Sequence, residues 1–149
     1  YGMTNHSSKV DSQGAILALD YGDQRIGLAV TDAEHAQALA HSTIPAQPPD
    51  VAVSALQRVI AAENVERIVI GLPLTLEGRE GEQAQKTKAF AATLAERTGL
   101  PQEFADERFT SAAAEEAAAA KGTSPDAEAA RLILEGWLSQ QSRKKHEAA

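Results

Sequence analysis

Two short apolar runs separated by a polar turn come first in the pattern of the chain. Ala15 to Leu19 leads into Asp20-Tyr21-Gly22-Asp23, and Ile26 to Val30 follows, a spacing that predicts a β-hairpin. His41-Ser42-Thr43-Ile44 predicts a third strand, stopped by Pro45, with the Pro48-Pro49 pair marking a connection. From Val51 to Glu63, Ala52, Leu56, Val59 and Ile60 recur at helical spacing, and Arg67 to Ile70, ending at Gly71, then reads as a buried strand. A helix feeding a buried strand points to a parallel crossover.

Leu72 to Gly81 reads as a loop. Glu82 to Arg97 predicts a helix with Phe90, Ala91 and Leu94 inward, closed by Gly99-Leu100-Pro101. Glu103 to Ala105 predicts a short strand with Asp106-Glu107-Arg108 at its exit. A helix of Ala and Glu spans Ser111 to Lys121 and stops at Gly122; a last helix begins at Ser124-Pro125 and is expected to end near Leu138, leaving Arg143-Lys144-Lys145-His146 in a frayed tail. The order predicts an α/β fold, a mixed sheet with an antiparallel hairpin plus parallel strands, flanked by helices. A length of 149 residues fits one domain, expected over 15–138, with flexible tails at 1–14 and 139–149.

Composition changes this picture in one respect. Fourteen basic against 21 acidic residues give a net charge of −7, which argues against a surface built to gather phosphates. A metal-dependent enzyme escapes the objection, because bound cations bring positive charge to the scissile phosphate. No apolar run is long enough to span a bilayer, so no membrane partner is expected. With no leader pattern, and with no Cys for disulfides or thiolate sites, the chain reads as soluble and cytoplasmic. His6, His35, His41 and His146 lack ligand spacing, and His41 reads as structural.

The candidate chemistry lies in acids at strand exits and a helix start. Asp20 alone reads as a turn aspartate, and Glu107 with Arg108 alone as a solvated cluster. Asp126, just inside a helix capped by Ser124, is accounted for by the helix dipole. Yet Asp126, Ala130, Ile133 and Trp137 share one helical face, so its carboxylate falls on the stripe that should meet the sheet. Asp20, Glu107 and Asp126 brought to one end of a sheet would repel one another unless cations neutralised them. That cluster suits Mg²⁺ or Mn²⁺, two ions of which, about 3.5 to 4 Å apart, would hold a phosphate and activate water.

These residues also carry a resemblance. Leu19-Asp20-Tyr21-Gly22-Asp23-Gln24-Arg25-Ile26-Gly27-Leu28-Ala29-Val30-Thr31-Asp32 resembles the opening motif of the YqgF (RuvX) family of ribonuclease-H-like proteins. Gly71-Leu72-Pro73 with Gly78 and Gly81, Asp106-Glu107-Arg108-Phe109-Thr110, and Asp126-Ala127-Glu128-Ala129-Ala130 leading to Leu132-Ile133-Leu134 match in the same order. The resemblance implies a ribonuclease-H-like fold with Asp20, Glu107 and Asp126 in the family's acidic positions. The chain departs from the family pattern at Thr75, where Asn is frequent, at Glu77, where Asp is, and at Ala127, where Ser often follows the last acid.

The expected activity is metal-dependent hydrolysis of phosphodiester bonds, with Asp20 bridging the ions. Arg25, Arg79, Lys86, Lys88 and Arg108 are the candidate phosphate contacts, and ordinary solvated charge is an equal account of the helix lysines. Tyr21 is a candidate for stacking on a base, though packing on its neighbours is the stronger expectation. The resemblance implies processing of precursor ribosomal RNA (the pre-16S 5′ end) or, alternatively, resolution of four-way DNA junctions, which would favour a homodimer. A non-catalytic nucleic-acid-binding module stands as the alternative of another class. A nucleotide phosphotransferase built around a similar Asp-x-Gly hairpin would need a second domain.

Overall fold

The computed structural model describes residues 14–32, 34, 37–107 and 111–148. Strands β1 (Ala15–Tyr21), β2 (Arg25–Thr31) and β3 (Ala38–Pro45) precede helix α1 (Pro49–Glu63), strand β4 (Val65–Leu72), helix α2 (Glu82–Thr98), strand β5 (Gln102–Asp106) and helices α3 (Ser111–Lys121) and α4 (Pro125–Ala148). The five strands form one sheet in the order β3-β2-β1-β4-β5. β1 pairs antiparallel with β2, as β2 does with β3, and parallel with β4, as β4 does with β5. The mixed sheet read from the sequence is therefore the observed one. The strands extend a residue or more beyond the apolar runs, because ladder pairing continues through polar positions such as Glu66 and Asp106.

Alternation along each strand sorts the side chains onto two faces. Leu17, Leu19, Ile26, Leu28, Ile68 and Ile70 face one way and pack with Ala52, Val53 and Leu56 of α1 and Phe90, Ala91 and Leu94 of α2. Ile16, Ala18, Ala29 and Val69 face the other way, against Ala130, Ile133, Leu134 and Trp137 of α4. Both faces are covered, which explains why the central strands read as continuous apolar runs. α3 lies outside the sandwich and packs on α4, with Ala114 and Ala118 buried. α4 runs on to Ala148 rather than ending near Leu138, so Arg143 and Lys144 are helical. Their neighbours are good helix formers, and a charged tail can extend an anchored helix without burying anything.

One close approach sets the height of α4 above the sheet. Gly27 in β2 lies directly under the start of α4, and a Cβ there would collide with the main-chain carbonyl of Asp126. No side chain can rotate out of that overlap, because the obstacle is backbone. Gly27→Ala should therefore destabilise the fold by about 1–3 kcal/mol. Urea unfolding would measure it, and a loss under about 0.5 kcal/mol would show that α4 can lift freely.

Candidate active site

Asp20 is the last residue of β1 on the α4 face, two positions beyond Ala18, and pairs in register with Gly27 of β2. Because Gly27 is bare, Asp126 comes down on the sheet next to Asp20. Glu107 arrives from the other side. Glu103, Ala105 and Glu107 alternate onto the α4 face, and the Glu107 amide donates to the Leu72 carbonyl at 3.3 Å, extending the β4–β5 ladder by one step. Its carboxyl lies over Gly71, where a Cβ would stand 3.1 Å from Glu107 Cδ and would strike Ile133. β5 is held in place by Glu103, which accepts from Trp137 Nε1 at 3.0 Å and from Arg67 Nη1 at 2.8 Å.

Asp20 and Glu107 are hydrogen-bonded to each other through their carboxyl groups, and Asp126 is near enough to act on Asp20 through its charge. Asp126 itself bonds Arg25, with Nε–Oδ2 at 2.8 Å. The structure thus brings all three expected acids to one end of the sheet, though not as one symmetric cluster. Among the described residues no group of three or more ligand-type side chains is close enough together to hold a metal ion.

Comparison with known proteins narrows the meaning of this geometry. The RuvX family model, described as "Holliday junction resolvase", matches residues 14–140. The chain belongs to the RuvX family. Among its relatives are proteins named "Putative pre-16S rRNA nuclease". The one from Chloroflexus aggregans is 40% identical over 134 residues, 85% of this chain and 94% of the relative. The one from Synechococcus elongatus is 39% identical over 134 residues, 85% and 90% of the two chains. Among solved structures, T. thermophilus RuvC in complex with a Holliday junction substrate superposes with a TM-score of 0.58 at 15% identity, over 87% of this chain and 96% of that one. This likeness shows a shared fold, the ribonuclease-H-like one that the motifs implied.

The electrostatics of this RuvX chain follow from crowding. Burial raises the Glu107 carboxyl most, the charge of Asp20 and the hydrogen bond to it raise it further, and Asp106 adds to the effect, pushing it up to about 9. Burial also raises Asp20, with the Asp126 charge acting in the same direction and the bond from Glu107 opposing it. Near neutral pH the pair therefore keeps a proton, with Glu107 donating to Asp20. A donor set made of carboxylate oxygens, crowded and half-neutralised as these are, fits a hard divalent cation.

The other expected contacts fare differently. Arg25 is exposed and stands at the acids. Arg79 lies in the loop after β4, its amide donating to Thr75 Oγ1 at 3.1 Å. Lys86 is on α2, with Nζ 3.4 Å from Asp23 Oδ1, and Lys88 pairs with Glu80 at 2.7 Å. Arg108 lies outside the described residues. The Tyr21 ring is on the opposite face from the acids and stacks on Phe90 with centroids 4.7 Å apart. Of the two expectations for Tyr21, packing on its neighbours is the one observed, and strand alternation sends its ring and Asp20 to opposite faces.

Sequence reasoning missed the two glycines that seat the acids. Their signal was present as Ile26-Gly27-Leu28 and Ile70-Gly71-Leu72, small residues inside apolar strands. It also missed Glu128, which is 1% exposed and is held by Arg131 Nε at 2.6 Å and Thr123 Oγ1 at 2.7 Å. Burial works against its charge, but the bonds from Arg131 and Thr123 and the charges of Arg131 and Lys121 prevail, leaving its carboxyl below the ordinary range. This network ties the α3–α4 turn to the helix that carries Asp126.

A pH dependence follows. Glu107 has a folded value of about 9 against an ordinary 4.5, so its contribution is complete below about 4.5 and is lost as pH rises through 9. In EDTA, the melting temperature of the protein should fall between pH 5 and 9, and Glu107→Gln should flatten that decline. Parallel profiles for the two proteins would remove Glu107 as its source.

Proposed function

We propose that the chain is a nuclease that hydrolyses phosphodiester bonds in precursor ribosomal RNA with the help of Mg²⁺ or Mn²⁺. The observation that carries this reading is the meeting of the hydrogen-bonded Asp20–Glu107 pair with Asp126 at one end of the sheet. Relatives named for pre-16S rRNA cleavage support the substrate class. Asp20, Glu107 and Asp126 are the residues that would hold the metal. When bound there, such ions supply Lewis acidity to the scissile phosphate and lower the pKa of the attacking water.

The chain's own residues bind and orient. Arg25 offers an exposed guanidinium on the face of the acids, suited to a phosphate oxygen of the backbone. Arg79 and Lys86 add charge from the loop after β4 and from α2, positioning the strand without reading its sequence. These local cations offset a net charge of −7. No described helix is long and apolar enough to cross a membrane, and a chain without Cys accords with a cytoplasmic setting.

The second reading, resolution of four-way DNA junctions, is favoured by the family description and by the RuvC-like fold. It calls for a homodimer, since paired nicks in a two-fold substrate require two sites.

End-labelled precursor ribosomal RNA, unrelated single-stranded RNA and a synthetic four-way DNA junction, each incubated with Mg²⁺ or Mn²⁺, separate these readings. Metal-dependent cutting of the precursor is expected, reduced by Asp20→Asn by at least roughly two to three orders of magnitude while folding is kept. Symmetric nicks in the junction alone would establish the resolvase, and tight binding without cleavage of any substrate would make the chain a binding module.

A further inference from the structure

We propose that Arg25 is an electrostatic latch on Asp126, holding its carboxylate away from the Asp20–Glu107 pair until a backbone phosphate takes its place, so that nucleic acid and metal ions bind cooperatively. This rests on the nuclease reading above and deepens it by making one arginine the link between the two ligands.

The argument begins with the register of β2. Arg25 and Gly27 are two residues apart and face the same way, and Gly27 pairs directly with Asp20. The start of α4 lies on Gly27. Asp126 therefore stands over a point with a cation on one side along β2 and a carboxylate on the other across the ladder. Its main chain is fixed: the Ser124 hydroxyl accepts from the amides of Asp126 at 3.2 Å and Ala127 at 3.4 Å, and is itself 2.7 Å from Thr43 Oγ1. Only the side chain is free to turn, and it turns to Arg25, at 2.8 Å.

Repulsion explains the choice. Rotated towards Asp20, the Asp126 carboxylate would bring a third acidic group against two already in contact; rotated towards Arg25, it meets the opposite charge. The balance reverses when ligands arrive, because cations at Asp20 and Glu107 attract Asp126, and a phosphate attracts Arg25. Arg25 is 62% exposed in its side chain, so its bond to Asp126 is the weak kind that an incoming anion can replace. A planar guanidinium offers a phosphate two parallel donors, where its bond to Asp126 uses Nε alone. Each ligand thus releases the partner the other needs, and by linkage the effect is reciprocal.

Two measurements without turnover test the latch. Titration calorimetry of Mn²⁺ into the protein free of nucleic acid should show Arg25→Gln binding the ion about three- to fivefold more tightly, the release expected from an exposed ion pair. Arg97→Gln, which makes the same change in net charge but lies in the last turn of α2 beside Gln57, should change it less than twofold. In EDTA, anisotropy of a fluorescent single-stranded RNA should show Asp126→Asn binding more tightly than the unmodified protein. That gain should shrink severalfold in the R25Q background, the signature of direct coupling. If R25Q gains no more Mn²⁺ affinity than R97Q, or if the D126N gain is the same in both backgrounds, the latch is wrong. Asp20→Asn separates the two levels of the argument. Weakened Mn²⁺ binding in D20N with no effect of R25Q overturns the latch alone, whereas Mn²⁺ binding unchanged in D20N overturns the carboxylate site and the latch with it.

Discussion

The arrangement at the acidic end depends on bare backbone at Gly27 and Gly71, the two places where side chains would have kept the layers apart. Around them the strands bury Leu17, Leu19, Ile26, Leu28, Ile68 and Ile70 almost completely. At Gly27 the first turn of α4 descends until main chain meets main chain, and that descent carries Asp126 to the level of Asp20. At Gly71 the same economy of volume makes room for both Ile133 and the Glu107 carboxyl. The site is thus a local gap in an otherwise filled sandwich, flanked by rigid elements, which is the condition for holding charged groups in a fixed relation.

Charged groups so held are unstable together unless something else is added. Burial and mutual repulsion raise both Asp20 and Glu107, and the pair relieves itself by keeping a proton while Asp126 turns to Arg25. These are the two responses open to a carboxylate cluster without metal ions: protonation, or pairing with a neighbouring cationic side chain. Glu128 shows the opposite solution on the same helix, a carboxylate hidden almost completely yet kept charged by Arg131, Thr123 and Lys121. Its partners are cationic and hydroxyl donors, whereas Asp20 and Glu107 at the strand ends have each other. A stability argument accounts for Glu128 and does not account for Asp20 and Glu107.

The scaffold divides labour between its two faces. The face covered by α1 and α2 holds the larger hydrophobic cluster and takes Tyr21 into it through stacking on Phe90. The face covered by α4 is thinner, with alanines at Ala18, Ala29 and Ala130, and it ends in the acids. Small side chains there let a helix lie close to the sheet, and the network around Glu128 fixes the turn from which that helix starts.

What the sequence determined by itself was the set of elements and the identity of the acids. Apolar runs and helical spacing are local properties, so the hairpin, the crossover strands and the inward face of α4 at Ala130, Ile133 and Trp137 were legible without knowing what lay opposite. The motif around Asp20 pointed to the family for the same reason. Three things were decided only by tertiary structure. Strand order placed Glu107 across from Asp20, a matter of pairing between segments distant in the chain. The reach of α4 to Ala148 was set by propensity and anchoring beyond the apolar stripe. And the partner of Asp126 was Arg25, a hundred residues away in sequence, chosen by an electrostatic balance that exists only once β2 and α4 are in contact.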